Sequence, residues 1–216
     1  MKLEAMVLGG SRGIGKAIAE ALRTINVDVS AMSKNDVDTS DLDSVKKFCD
    51  SHKKTDILIL NTGGPKPIPF DVINEEDWKM YHNQLFLGFV TILQNMKIND
   101  NGYIFLISSN VIKEPNSKLV ISAAYRTAFV EIFKILSKEY AKRNISCINI
   151  APGPINTERT KELVEDIEEF KKSLPMNRLG EPKEIGDFVK SIIQNEIKYL
   201  SGVTINFDGA NSSSIF

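Results

Sequence analysis

The most constraining feature of the sequence is a regular alternation of two hydrophobic patterns along the whole chain. Short apolar runs predict buried strands, and apolar residues that recur every three or four positions predict helices packed by one face. The runs cover residues 5–8, 27–32, 57–60, 103–107, 147–150 and 203–207. Strands that alternate with helices in this way form a parallel sheet covered by helices on both faces. The sequence therefore predicts an α/β, doubly wound fold of the Rossmann type.

The predicted helices fill the segments between the strands. Asn74 is a suitable N-cap for a long helix that carries Trp78, Leu85, Phe89 and Leu93. Further helices are expected from about 120 to 143 and, with Pro182 in the first turn, up to about 194. The run at 203–207 could close the sheet or form a satellite hairpin, and its apolar alternation favours the sheet. We expect one domain over residues 1–216.

Composition excludes several classes of protein. The 216 residues include 27 Lys and Arg against 28 Asp and Glu, a net charge of -1, which gives no general attraction to nucleic acid or anionic membranes. No apolar run approaches the roughly 18 residues of a membrane helix. Cys49 and Cys147 lack motif spacing and are expected to be reduced core thiols of a cytoplasmic protein. With only His52 and His82, no metal site is expected.

A glycine-rich loop joins the first strand to the first helix. Glycines let the backbone turn tightly and approach a pyrophosphate, while the helix N-terminus offers free N–H groups and a positive dipole end. A glycine cluster alone is weak evidence, but its place between strand and helix predicts dinucleotide binding. The residues concerned are Gly9, Gly10, Ser11, Arg12, Gly13, Ile14 and Gly15.

The end of the second predicted strand bears on the choice of cofactor. A carboxylate that selects NAD(H) is expected there, about 20 residues after the loop. The chain instead has Ser33 and Lys34, and Arg12 lies in the glycine loop. Two cations beside a ribose 2′-position favour a 2′-phosphate, so NADP(H) is preferred over NAD(H). The alternative is that both are ordinary solvated surface charges.

Taken with motifs farther along, these residues resemble the short-chain dehydrogenase/reductase family, over essentially the whole chain. The order and spacing of the motifs carry the resemblance more than any single one. The family's glycine pattern is matched by Gly9, Gly13 and Gly15. Asp38 is similar to the residue that contacts the adenine, and the family's Asn-Ala-Gly element resembles the segment with Asn61 and Gly63. The family's loop on the nicotinamide side, the Pro-Gly loop, resembles the segment with Pro152, Gly153, Ile155 and Thr157.

The resemblance also exposes a shortened segment. The family usually fits a helix and a strand between the positions of Lys34 and Asp38, which here are separated by three residues. We therefore expect that helix to be missing, the third strand to be a stub around 36–38, and the adenine pocket to be more open than usual.

The family's catalytic residues are Ser, Tyr and Lys, supported by Asn. Alignment without gaps from the Pro-Gly loop puts the Ser position at Ser109, the Tyr position at Ser122 and the Lys position at Arg126. The Asn position falls on Leu85. Tyr125 is not expected to substitute, since it projects away from the direction of Ser122. A serine hydroxyl is a far weaker acid than a phenol, and arginine is a fixed donor that does not release its proton.

Two functions remain open at this point. One is an NADP(H)-dependent oxidoreductase for a small carbonyl or alcohol, similar to a 3-oxoacyl reductase, with Ser109, Ser122 and Arg126 as catalytic residues. The proton would come from water through Ser122, or from Tyr81 or His82. The other is an NADP(H)-binding sensor or scaffold without turnover, in which Ser122 is only a small packing residue and Arg126 a surface charge.

Two further expectations concern substrate and assembly. Residues 158–174 occupy the family's substrate-lid position, and a helix there would carry Leu163, Val164, Ile167 and Phe170 on one side. A lid and a plain packing helix fit this pattern equally well. The helices near 74–96 and 120–143 pair subunits in the family, which implies a homodimer or homotetramer.

Overall fold

A computed structural model describes residues 2–215. These residues form six strands in one sheet, and every neighbouring pair runs parallel. The strands are β1 Leu3–Val7, β2 Val27–Ala31, β3 Lys54–Leu60, β4 Lys97–Ile107, β5 Ser146–Pro152 and β6 Val203–Phe207, in the spatial order β2-β1-β3-β4-β5-β6. The predicted doubly wound fold is confirmed, and the last apolar run joins the sheet.

Eight α-helices lie among the described residues. They are α1 Gly13–Arg23, α2 Leu42–Ser51, α3 Glu75–His82, α4 Gly88–Asn95, α5 Val120–Ala141, α6 Glu158–Leu163, α7 Ile167–Ser173 and α8 Pro182–Gln194. Short 3-10 turns cover Phe70–Val72 and Asn110–Ile112. Asn74 caps α3 as predicted, because its side chain accepts a hydrogen bond from the amide of Asp77.

The sheet has a separate hydrophobic core on each face, because successive strand residues point to opposite sides. One core joins the sheet to α1 and α8, through residues such as Ile18, Ile59 and Ile185. The other joins it to α2, α4 and α5, through residues such as Phe89 and Phe129. Both faces are therefore buried, which explains why the strands are runs of apolar residues.

The strand order determines where a site can form. The chain passes from β1 outward to β2 and then returns to β3 on the other side of β1. In such sheets the loops after neighbouring strands separate at this reversal and leave a crevice at the carboxyl ends. The glycine loop after β1, the loop after β3 and the loops after β4 and β5 all meet at this edge.

The predicted stub of a third strand at 36–38 is wrong, although the helix before it is missing as expected. This segment forms turns. The carboxylate of Asp36 accepts hydrogen bonds from both the amide and the hydroxyl of Ser33, each at 2.7 Å, and these bonds hold the pKa of Asp36 below its usual value. The side chain of Asp38 similarly accepts from Ser40. Such local side-chain bonds favour turns over extended backbone.

Two predicted helices are interrupted. The long helix after Asn74 contains a π-helical turn, Asn83–Leu87, between α3 and α4. The helix expected within residues 158–174 is two short helices, α6 and α7, because Asp166 caps the second through the amides of Glu168 and Glu169. Cys49 and Cys147 are free and buried. In residues 2–215 no helix is both long and apolar enough to cross a membrane.

The core on the α4–α5 face offers a direct test of the packing. Phe89 is 1% exposed and its ring lies 5.3 Å from that of Phe129. Phe89→Ala should lower the free energy of unfolding by about 3–5 kcal/mol, since it leaves a cavity. Phe70, which is 69% exposed, supplies the matched control. Phe70→Ala should change stability by less than about 0.5 kcal/mol in the same urea titration, and equal losses would contradict this packing.

Candidate active site

The glycine loop has a backbone that side chains would obstruct. Gly9 and Gly13 have left-handed φ values of 58° and 53°. A Cβ atom on Gly15 would lie 2.2 Å from the carbonyl oxygen of Gly9. These glycines therefore allow the loop to pass directly over the N-terminus of α1.

The N-terminus of α1 is not capped by the protein. Arg12 occupies the N-cap position without a side-chain cap bond, and the first turn contains no acidic residue. The free N–H groups and the positive end of the helix dipole are therefore available to an anion. Ser11 and Arg12 are exposed beside them, whereas Ile14 packs against the hydrophobic core. The glycine loop and the free N–H groups of α1 form a cradle that fits the pyrophosphate of a dinucleotide.

Loops from two other strands border this cradle. The amide of Asn61 donates to the carbonyls of Leu8 and Gly9, at 3.2 and 3.3 Å, and so ties the loop after β3 to the glycine loop. Thr157, at the N-cap of α6, lies with its methyl carbon 3.5 Å from the position of a Cβ on Gly13. The predicted cofactor-binding segments after β1, β3 and β5 thus line one crevice.

The Pro-Gly loop is shaped by β6. Pro152 ends β5 and pairs in register with Phe207, and a Cβ on Gly153 would lie 2.6 Å from the Cβ of Asp208. Ile155 is buried and its side chain lies against Gly180. The side chain of Ile155 therefore supports the loop from inside, and only its backbone could face a cofactor.

The cationic residues expected at the ribose end are only partly free. Lys34 is 79% exposed and its amine lies 3.3 Å from the carboxylate of Asp38. Ser33 is engaged by Asp36. Lys34 therefore forms an ion pair with Asp38, whereas Arg12 forms no ion pair among the described residues.

Ser122 and Arg126 form a bonded pair in the interior, one helical turn apart on α5. The Nε of Arg126 donates to the Ser122 hydroxyl at 3.2 Å, Nη1 donates to the Ile107 carbonyl at 3.1 Å, and Nη2 donates to the Thr62 carbonyl at 3.4 Å. Arg126 is 7% exposed and Ser122 is 5% exposed. Arg126 is therefore no surface charge: it joins α5 to the end of β4 and to the loop after β3.

The charge of Arg126 is compensated only by neutral oxygens. Within residues 2–215, no carboxylate lies within ion-pair distance of its guanidinium. Burial lowers the pKa of Arg126 to about 10, so the side chain remains charged at neutral pH. A buried cation without an anionic partner favours negative charge on any molecule bound beside it.

Ser109 stands at the end of β4 but is engaged by its own loop. Its hydroxyl accepts from the amide of Val111 at 3.4 Å and lies 3.5 Å from the side-chain oxygen of Asn110. Neither contact reaches Ser122 or Arg126. The preceding Ser108 is buried and donates to the carbonyl of Ile150, so Ser109 is the serine that remains near the crevice.

An aromatic cluster between α3 and α5 contains His82, a candidate proton donor, and Tyr125. The Tyr125 hydroxyl donates to the backbone carbonyl of Trp78 at 3.1 Å, and burial raises the pKa of Tyr125. His82 stacks on Phe86 and lies 5.3 Å from the ring of Tyr125. The Tyr125 hydroxyl is therefore engaged by the backbone of α3, and His82 belongs to the packing of these helices.

Sequence reasoning did not identify two polar contacts at the site. Gln84 donates to the carbonyl of Gly63, and Arg159 of α6 donates to the carbonyl of Pro65. Gln84 directly precedes Leu85, which we expect at the family's Asn position, so its place in the sequence was the available signal. His, Cys, Asp and Glu side chains in residues 2–215 form no group of three that could hold a metal ion.

Comparison with known proteins identifies relatives of this chain. Residues 36–210 match the family described as Enoyl-(Acyl carrier protein) reductase. The NADPH-dependent reductase BacG of Bacillus subtilis (strain 168) is 26% identical over 260 aligned residues, covering 99% of this chain and 99% of the relative. The 3-oxoacyl-(acyl-carrier-protein) reductase FabG of Chlamydia pneumoniae is 28% identical over 236 residues, covering 95% of each.

Solved structures share the fold. YwfH, an NADPH dependent reductase involved in bacilysin biosynthesis, has a TM-score of 0.84 and 26% identity, with both chains covered completely at 100%. A blue fluorescent protein from a metagenomic library in complex with NADPH has a TM-score of 0.87 at 23% identity, covering 98% of each chain, and supports the fold alone. The family match over most of the chain, together with these relatives, shows that this protein belongs to the short-chain dehydrogenase/reductase family.

Proposed function

We propose that this protein is an NADP(H)-dependent reductase of a small carbonyl compound, similar to 3-oxoacyl reductases. The observation that carries the proposal is the buried, charged Arg126 beside Ser122, at the same edge of the sheet as an uncapped helix N-terminus in a glycine cradle. The names of two relatives support it, since one is an NADPH-dependent reductase and the other a 3-oxoacyl-(acyl-carrier-protein) reductase.

The cofactor assignment rests on the crevice that the segments after β1, β3 and β5 line. When bound, a reduced nicotinamide supplies the hydride. Gly9, Gly13 and Gly15 with the first turn of α1 would hold the pyrophosphate, and Arg12 and Lys34 would face a 2′-phosphate. The remaining members of the proposed cofactor site are Ser11, Ile14, Ser33, Asp38, Asn61, Gly63, Pro152, Gly153, Ile155 and Thr157.

The chemistry of this chain's residues is electrostatic. Hydride addition to a carbonyl carbon places negative charge on its oxygen, and a prearranged cation lowers the energy of that charge. Arg126 is held by three hydrogen bonds before any substrate arrives, so little reorganisation is needed. Ser109 would donate a hydrogen bond to the same oxygen after releasing the contacts within its loop.

Proton delivery differs from the family's usual scheme. Arg126 does not give up its proton near neutral pH. The Ser122 hydroxyl accepts from Arg126 and keeps its own hydrogen to donate. Ser122 would therefore pass a proton from water to the alkoxide, with the guanidinium making the hydroxyl a better donor.

Cofactor titration tests the binding site. The wild-type protein should bind NADPH more tightly than NADH, as measured by nicotinamide fluorescence. Arg12→Met and Lys34→Met should each weaken NADPH binding about fivefold and leave NADH unchanged, because each removes one charge beside the 2′-phosphate. Gly15→Ala should weaken the binding of both nucleotides by about tenfold, because the added Cβ would clash with the carbonyl oxygen of Gly9. Lys46→Met, an exposed change on α2, is the control. Equal affinity for both nucleotides would contradict the assignment.

A carbonyl screen with NADPH tests turnover. With NADPH and a carbonyl compound that the wild type reduces, Arg126→Met should lower kcat by about 10²–10³-fold because it removes the fixed cation. Arg126→Lys, which keeps a charge but not the three-way hydrogen bonding, should fall between this variant and the wild type. Ser109→Ala should also lose activity. Arg143→Met removes an arginine at the opposite end of β4, paired with Asp100, and should keep wild-type kcat.

The alternative function predicts a different outcome in the same screen. A sensor or scaffold would bind NADPH tightly and reduce no carbonyl compound. Tight binding without turnover would therefore reject the reductase proposal and favour the sensor. Wild-type rates in both Arg126→Met and Ser109→Ala would leave the reductase but reject these catalytic roles.

Family membership also supports assembly from identical subunits. The helices expected to pair subunits expose apolar side chains, including Met80, 40% exposed, and Ile135, 64% exposed. We expect a homodimer or homotetramer of 24.1 kDa chains. Light scattering during size-exclusion chromatography should give two or four times that mass, and Ile135→Asp should lower it if α5 lies in the interface. A wild-type mass of one chain would contradict the expectation.

A further inference from the structure

The residue at the family's supporting Asn position cannot act as a polar group. Leu85 is 1% exposed and apolar, and it lies within the π-helical turn Asn83–Leu87. A π-helical turn contains an extra residue relative to an α-helical one and changes which side chains face a site, and such turns are frequent at functional sites. In this turn Leu85 enters the core, and a neighbouring side chain faces the loop after β3 instead.

That neighbour is Gln84. Its side-chain amide donates to the Gly63 carbonyl at 2.8 Å and to the Thr62 hydroxyl at 3.3 Å. The Thr62 hydroxyl also lies 3.2 Å from that of Thr39. Gln84 therefore holds both residues that follow Asn61 in the proposed cofactor crevice.

Arg126 holds the same loop from another side. Its Nη2 donates to the Thr62 carbonyl, and the same nitrogen lies 3.8 Å from the position of a Cβ on Gly64. The Gln84 amide lies 4.0 Å from the position of a Cβ on Gly63. The two side chains thus face consecutive glycines, and the backbone of residues 62–64 is the element that couples them.

We propose that Gln84 is a positioning residue that fixes the loop at residues 62–64 and, through it, the guanidinium of Arg126 and the bound nucleotide. The proposal rests on the proposed function. In this chain the π-helical turn transfers the supporting role from the Asn position to the residue before it. Gln84 contacts the Thr62 hydroxyl and the Gly63 carbonyl, so its effect would pass through this loop.

A matched pair of variants tests this role. Gln84→Leu and Asn83→Leu each remove one amide donor from the same π-helical turn, but Asn83 donates to the Ser40 carbonyl, outside the loop. Gln84→Leu should weaken NADP⁺ binding about fivefold by calorimetry, because it removes both hydrogen bonds that the Gln84 amide makes to the loop. It should also lower kcat more than it changes the substrate KM. Asn83→Leu should keep affinity and kcat within about twofold. Equal effects from both variants would overturn the proposal.

Gln84→Glu supplies a readout that general destabilisation does not produce. A carboxylate cannot donate to the Gly63 carbonyl, whereas a protonated carboxyl group can. The NADP⁺ affinity of Gln84→Glu relative to the wild type should therefore be low at pH 7.5 and recover toward pH 4.5, near the ordinary pKa of glutamate. Gln84→Leu should show no such recovery. A constant ratio for Gln84→Glu across this pH range would reject the proposed hydrogen bond.

Hydrogen exchange separates this proposal from the cofactor assignment. In the nucleotide-free protein, Gln84→Leu should accelerate amide exchange in the peptide that contains residues 61–66, and Asn83→Leu should not. If the wild type binds no nucleotide, the proposed function fails, but this comparison still decides whether Gln84 holds the loop. Unchanged exchange in Gln84→Leu would overturn the positioning role, whatever the result of the binding experiment.

Discussion

The candidate site depends on the solvation of one buried cation. The guanidinium of Arg126 donates to the hydroxyl of Ser122 and to the carbonyls of Ile107 and Thr62. Removing a cation from water costs several kcal/mol unless hydrogen bonds and nearby dipoles replace its hydration. Here the ends of two strand segments and one turn of α5 supply that replacement. The same bonds therefore solvate the charge and set the spacing between these three elements.

The hydrogen-bonded Arg126 and Ser122 make the site rigid, but neither side chain changes its charge near neutral pH. Serine and arginine, which we expect at the Tyr and Lys positions of the family pattern, form a hydrogen-bonded clamp that stays in one protonation state near neutral pH. Gln84, in the π-helical turn, adds hydrogen bonds to the Thr62 hydroxyl and the Gly63 carbonyl of the same loop. Stabilisation of charge thus becomes the main contribution that the protein's side chains can make to a reaction.

Much of the fold could be predicted from the sequence because its causes are local or periodic. The strands are buried on both faces and so appear as apolar runs. The N-cap residue Asn74 and Pro182, in the first turn of α8, mark helix starts. The misses have equally specific causes. Asp36 and Asp38 bind their own neighbours and form turns where a strand was expected, and Asp166 restarts a helix inside the lid segment. These are side-chain bonds over two to three residues that periodicity does not reveal.

The spacing of the candidate site residues along their helices and loops could be predicted from the sequence, but their contacts could not. The spacing of Ser122 and Arg126 on one helix indicated that they share a face, and they are bonded. The burial of Arg126 could not be predicted, because it depends on carbonyls from residues 62 and 107, far away in sequence. Gln84 was missed because the alignment at Leu85 assumed a regular helix, whereas a π-helical turn changes the direction of each side chain.

The shortened segment after β2 has a consequence at the far side of the sheet. Because residues 33–41 add no strand, β2 is the outermost strand and one row of its backbone groups has no neighbouring strand. An open edge invites strand addition by another chain. This edge is short, at five residues; Asp28 is exposed on it, and the guanidinium of Arg23 donates to the carbonyl of Val29. This edge therefore has no covering strand, but it carries the charged side chains of Asp28 and Arg23. These charges discourage a second copy of the chain from adding a strand to β2 through backbone hydrogen bonds.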